Sequence, residues 1–204
     1  MVKKTNLTIT QFISNDNVKC CPKEKKPEYA FIGRSNVGKS SLINMILNHK
    51  ISYISSKPGR TQSINHILVN DSWNLVDLPG YGYAKLAKKK RTQILKMSQN
   101  YFTNRTSQLI AVFMLIDIRI PPQKIDLHWM EWLNQNNLFF IRVFTKSDEL
   151  NIYQIKKSTQ IYDDLMSHTW SKIPETIVTS SKNKLGRQNM LNRIFELNNL
   201  FQNI

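Results

Sequence analysis

The segment Gly33-Arg34-Ser35-Asn36-Val37-Gly38-Lys39-Ser40 fits G-x-x-x-x-G-K-[ST], a spacing that makes a phosphate cradle where a strand turns into a helix. The glycines let the backbone approach an anion closely, and the loop amides and helix N-terminus aim their N–H groups at phosphate oxygens. Lys39 would reach the β and γ phosphates and Ser40 would be a ligand of Mg²⁺. Asp77-Leu78-Pro79-Gly80 begins 38 residues after Lys39. A carboxylate there can hold Mg²⁺ through water, and the Gly80 N–H can sense a γ-phosphate. Further on, Thr145-Lys146-Ser147-Asp148 offers a carboxylate that can accept from guanine N1–H and the exocyclic amine, a donor pair that adenine lacks, while the Lys146 stem covers the base. Thr179-Ser180-Ser181-Lys182 would close the other side of the guanine. Between the first two motifs lies Pro58-Gly59-Arg60-Thr61-Gln62. Thr61 can place its hydroxyl on Mg²⁺ and its backbone on the γ-phosphate, ordered with GTP and released with GDP; the alternative is a plain solvent loop.

These motifs need elements to hold them. The spacing predicts a strand over Tyr29–Ile32, a helix over Ser40–Asn48, an unpatterned loop over Ile51–Ser63, and strands over Ile67–Val69 and Trp73–Leu78. A helix over Lys85–Phe102, a buried strand over Leu109–Ile116 and a helix over Gln123–Asn134 follow, the last behind Pro121-Pro122. The pattern closes with a strand over Leu138–Phe144, a helix over Ile152–Ser167, a strand over Thr176–Thr179 and a helix over Gln188–Phe201. Alternation of β-branched and aromatic strands with helices implies an α/β fold: three layers, doubly wound around a mostly parallel sheet. The first 28 residues, polar and interrupted by Pro22 and Pro27, read as a basic, loosely attached arm with a short strand near Phe12, ahead of a single domain over 29–204.

With 204 residues and 41% apolar side chains, the chain can bury a core, which excludes a chain disordered throughout. The longest apolar run, Leu109 to Ile116, is far below the roughly 18 residues of a membrane span, and the N-terminus lacks a secretory cleavage site. The only cysteines, Cys20 and Cys21, are neighbours and predict two free thiols in a reducing, cytoplasmic setting. The net charge of +15 is uneven: residues 1–105 carry 18 basic and 5 acidic side chains, residues 106–204 carry 11 and 9. Within the first half, Lys85, Lys88, Lys89, Lys90, Arg91, Lys96 and Arg105 occur with no acid between them. Ala87, Ile94, Met97 and Tyr101 would pack one helix face and leave the lysines outward, either as an RNA-facing patch or as an ordinary solvated face. His49, His66, His128 and His168 show no metal or nucleophile spacing and read as structural.

From about Pro27 onward the chain resembles the EngB (also YihA or YsxC) GTPases, a bacterial ribosome-assembly family of the translation-factor class of P-loop GTPases. The resemblance rests on GRSNVGKSSLIN at 33–44, PGRTQSIN at 58–65, DLPGYGYAK at 77–85, DIRIPP at 117–122, DLHWMEWL at 126–133, TKSD at 145–148 and SSKNKLG at 180–186. It implies a G-domain fold, GTP and GDP binding, slow Mg²⁺-dependent hydrolysis, association with the maturing large ribosomal subunit, and a requirement in cell division and septation. Nothing in the sequence demands a dimer, so a monomer is expected.

Many GTPases orient the attacking water with a Gln after the D-x-x-G glycine; here Tyr81 stands there, and slow free hydrolysis is expected. Asn36 offers compensation, since GTPases with Asn at this loop position resemble those in which K⁺ bridges the phosphates. Loop geometry is the competing reason for Asn36. Three activities therefore stay open: a GTPase switch, a nucleotide sensor that hardly turns over, and an ATP-dependent phosphotransferase, which Asp148 opposes.

Overall fold

The structure, a computed structural model, describes residues 7–51, 63–82 and 87–201. Seven strands form one sheet: β1 (Ile9–Asn15), β2 (Glu28–Gly33), β3 (Ile64–Val69), β4 (Trp73–Asp77), β5 (Leu109–Asp117), β6 (Phe140–Thr145) and β7 (Thr176–Val178). Their order is β1-β3-β4-β2-β5-β6-β7. The run from β4 through β2, β5 and β6 to β7 is parallel, and β3 pairs antiparallel with both β4 and β1. This is the doubly wound, mostly parallel sheet that the alternating pattern predicts.

Period-two alternation sorts each central strand between two cores. On one face, Tyr29, Phe31, Phe113 and Leu115 pack against α1 (Lys39–Leu47) and α5 (Arg187–Phe201). On the other, Ala30, Ile32, Met114 and Ile116 meet α2 (Lys88–Asn104), α3 (Lys124–Gln135) and α4 (Ile152–Ser167). Helix α4 begins where expected because Asn151 and Gln154 cap each other: each side-chain oxygen accepts from the other's backbone N–H, at 3.0 and 2.9 Å. Among the described residues, no helix is long and apolar enough to cross a membrane.

Two expectations need correction. The strand expected near Phe12 is β1, but residues 7–28 are not a loosely attached arm, because β1 is an edge strand paired with β3 from Ile9–Val69 to Asn15–Ile64, and Leu7, Ile9 and Phe12 pack on the α1 core. Downstream, Asn17 caps a 3-10 turn over Val18–Cys20, and Cys21 is buried, with both cysteines free. The second correction concerns α2. Ala87 is extended and exposed, so the helix starts at Lys88 and is anchored by Ile94, Ser98, Tyr101 and Phe102, with Met97 only half-buried. Arg105 does not belong to an outward basic face. It is buried, its Nε 3.1 Å from Glu28 Oε2 and its Nη2 in close contact with Glu28 Oε1. Tyr101 donates to the same carboxylate at 2.6 Å, and His66 Nε2 lies 3.3 Å from it. Burial would raise the Glu28 pKa, but bonds from His66, Arg105 and Tyr101 outweigh it and hold the carboxyl below its usual range.

Candidate functional site

The candidate nucleotide site sits at the carboxyl ends of β2, β4 and β6, where chain order reverses about β2 and open α/β sheets bind ligands. Gly33 ends β2 so close to β5 that an added Cβ would lie 2.9 Å from both the Leu115 Cβ and its carbonyl oxygen. Only glycine fits. The loop then turns through Asn36 at φ 66° and Gly38 at φ 99°, left-handed conformations that Asn and Gly tolerate best, and delivers Lys39 as the first residue of α1. Asn36 therefore meets the geometric demand of the loop, while its side chain remains exposed.

The loop is laced to the D-x-x-G segment. Ser35 N–H donates to the Tyr81 carbonyl at 2.9 Å, and Tyr81 N–H donates to the Gly33 carbonyl at 3.1 Å. Leu78 N–H is held by the Phe31 carbonyl, and Leu78, Pro79 and Gly80 are buried. The Lys39 ammonium contacts Asp77 Oδ1 directly, and both side chains are largely buried. Ser40 is exposed in the first turn of α1.

The T-K-x-D segment reaches the same loop from β6. Thr145 Oγ1 donates to the Val37 carbonyl at 2.6 Å and lies 3.1 Å from the Ile116 carbonyl, so its short side chain ties the base-side strand to the phosphate loop. Lys146 adopts φ 62° and sends its ammonium to the Asn36 carbonyl at 2.7 Å and to Asp117 at 2.8 Å. Burial alone would raise the Asp117 pKa; bonds from Arg119 and Lys146 prevail and hold it down to about 2. Ser147 is buried, its N–H on the Thr179 carbonyl. Asp148 is left facing solvent with one oxygen 2.6 Å from the Ser180 hydroxyl. That bond, with the nearby Lys182 and Arg119 charges, keeps its carboxyl below the usual range. Thr179 and Ser180 are fully buried, Ser181 is half-buried and Lys182 is exposed. Gly186 permits this turn, since its φ is +77° and a Cβ would strike the Val178 carbonyl at 2.4 Å. Gly59, Arg60 and Thr61, with Lys85, lie outside the described residues.

Sequence reasoning missed one group. Arg34 Nε donates to both oxygens of Asp126 at 3.1 and 3.0 Å, and the Tyr81 hydroxyl donates to Asp126 Oδ1 at 2.7 Å. Asp126 is fully buried on α3, and Tyr81 stacks on Trp129 of the same helix at 5.6 Å. Burial raises the pKa of both the Asp126 carboxyl and the Tyr81 phenol. One carboxylate thus joins the phosphate loop, the D-x-x-G segment and α3, and the Arg34 side chain is committed to it. A signal was available: Asp126, Trp129, Met130 and Leu133 share one helix face, and an acid within an apolar stripe needs buried partners.

A sequence model described as "50S ribosome-binding GTPase" matches residues 28–146. A "Probable GTP-binding protein EngB" of Porphyromonas gingivalis is 48% identical over 187 residues, covering 91% of this chain and 92% of that protein. The chain belongs to the EngB family of GTP-binding proteins. A second EngB relative, from Christiangramia forsetii, is 47% identical over 188 residues, covering 92% and 94% of the two chains. Among solved structures, a probable GTP-binding protein engB superposes with a TM-score of 0.70 at 22% identity, covering 84% of this chain and 98% of that one, which supports the fold. Era, solved in complex with MgGDPNP and nucleotides 1506–1542 of 16S ribosomal RNA, gives a TM-score of 0.65 at 19% identity over 85% of this chain and 57% of that one. Membership of the EngB family brings guanine-nucleotide binding and GTP hydrolysis, which removes the ATP phosphotransferase from consideration.

Proposed function

We propose that the protein is a cytoplasmic, monomeric GTPase switch that serves maturation of the large ribosomal subunit, with a consequent requirement in cell division and septation. The convergence of the Gly33–Ser40 loop, Asp77 and the Thr145–Asp148 segment at one end of the sheet carries this reading. In the nucleotide complex, the Gly33–Ser40 loop receives the phosphates through the amides of Asn36 and Gly38 and the N-terminus of α1, and Lys39 leaves Asp77 for the β and γ oxygens. Ser40, Thr61 and Asp77 would supply hard oxygen atoms of the kind Mg²⁺ prefers. Bound Mg²⁺ neutralises charge on the phosphates. Asp148 reads guanine, with Lys146 and the Thr179–Lys182 turn on either side of the base; Gly59, Arg60, Thr61 and Gly80 respond to the γ-phosphate.

Hydrolysis without a partner is slow. Tyr81 occupies the position after Gly80, yet its ring is buried against Trp129 and its hydroxyl is spent on Asp126. That observation also favours a second reading, a nucleotide sensor with little turnover. A K⁺ ion beside Asn36 is the proposed compensation. Multiple-turnover phosphate release with and without large subunits distinguishes the two: stimulation by subunits supports the switch, and equally negligible release in both leaves the sensor.

A further inference from the structure

Away from the nucleotide site, a groove of about 1010 Å³ runs between residues 16–23 and the outer face of α2. Lys19 and Lys23 stand on one wall, and Lys88, Lys89 and Lys96 on the other. All five are exposed, and among the described residues none is in an ion pair. Asp16 is the one carboxylate lining it among the described residues.

The walls are fixed. Asn17 accepts from Lys19 N–H at 3.0 Å, Cys21 N–H closes the turn onto the Val18 carbonyl, and the buried Arg105–Glu28 pair holds the C-terminal end of α2. Five exposed lysines gathered on two walls raise the local positive potential, which an anion relieves. The groove has cations on both walls and no aromatic ring among its described lining residues. Without a ring there is no platform for unpaired bases, the usual source of affinity for single strands. Charge spaced along two walls suits the regular phosphate backbone of a duplex, and the amides of Asn17 and Asn100 suit its sugars.

We propose that this groove docks the phosphate backbone of double-stranded RNA, gripped from both walls without regard to base sequence. Lys88 also lines a smaller cavity with Tyr81 and Gly82, so the groove adjoins the D-x-x-G segment and is placed to feel the nucleotide. The choice of RNA rests on the ribosomal reading above; the cationic groove does not.

The test is fluorescence anisotropy on the full chain with a non-hydrolysable GTP analogue, probing an arbitrary RNA duplex of about 20 base pairs, a single strand of equal length, and polyglutamate. The triple variant Lys19→Gln, Lys23→Gln, Lys96→Gln is expected to bind the duplex at least about tenfold more weakly, with a salt slope reduced by about one per lysine. Its nucleotide affinity should stay at the parent level, which certifies the fold. A control pair on α4, Lys156→Gln with Lys157→Gln, should leave duplex binding unchanged. A triple variant that binds duplex like the parent, or a single strand or polyglutamate that binds as tightly as duplex, overturns the proposal. Co-sedimentation with large subunits separates the two readings. If the parent does not co-sediment while the triple variant still loses duplex, the groove stands and the ribosomal role falls. If parent and triple variant co-sediment equally and bind duplex equally, the groove falls and the ribosomal role stands.

Discussion

The two charged regions of this molecule handle their cations in opposite ways. At the nucleotide end of the sheet four cations beside the motifs meet carboxylates, while Lys182 stays exposed: Lys39 meets Asp77, Lys146 and Arg119 meet Asp117, and Arg34 meets Asp126. Along the groove the lysines of two segments stand together with a single acid among the described residues. Paired charges hold a loop in shape before its ligand arrives, which lowers the ordering cost of binding. Unpaired charges of one sign do the reverse, raising the cost of the empty surface and rewarding an anion when it arrives. The first region is built to be specific, the second to be adhesive and sensitive to salt.

The largest effect is expected where one buried carboxylate serves two partners. Asp126→Ala removes the buried carboxylate shared by the half-buried Arg34 guanidinium and the buried Tyr81 hydroxyl, and should cost about 3 kcal/mol in denaturant unfolding. A loss near zero would mean that Asp126 does not organise the loop. Next comes Lys39→Ala, which should weaken nucleotide binding on the order of a hundredfold, the worth of a strong charge-assisted contact, with circular dichroism unchanged. An unfolded variant would make Lys39 structural.

Asp117 gives a smaller effect that depends on pH. Its folded pKa of about 2 lies below the usual carboxylate value of about 4, so its contribution is present above pH 4 and lost as pH falls through 2. The shift corresponds to about 2 kcal/mol. The stability gap between the parent and Asp117→Asn, measured in urea, should therefore narrow from pH 5 downward; a gap independent of pH would contradict the pairing. The smallest effect concerns Asn36: turnover in K⁺ should exceed that in Na⁺ at equal ionic strength, and Asn36→Ala should remove the difference. No cation dependence in the parent would leave Asn36 with loop geometry alone.

What the sequence made legible was local. The phosphate loop, the D-x-x-G turn and T-K-x-D each lie within a few consecutive residues, and their glycines and strand-end positions are visible without the fold. Helices and strands were legible from their period, with α4 matching at both ends because its cap is encoded by Asn151 and Gln154. What stayed hidden depends on partners far along the chain. Arg34 finds Asp126 across 92 positions and Arg105 finds Glu28 across 77, so one passed for a phosphate contact and the other for part of a solvated face. A strand near Phe12 was legible, but its attachment was not: Thr10, Gln11 and Ser14 of β1 are polar, as an edge requires, and only pairing with β3 ties the segment to the domain.

The central claim, that this pre-paired end of the sheet selects guanine through Asp148, is tested most directly by calorimetric titration of the parent and Asp148→Asn with GTP, ATP and xanthosine triphosphate. The parent should bind GTP with micromolar affinity and ATP far more weakly, and Asp148→Asn should prefer the xanthine nucleotide, whose carbonyl accepts from the new amide. ATP binding the parent as tightly as GTP, or an unchanged preference in the variant, would contradict it.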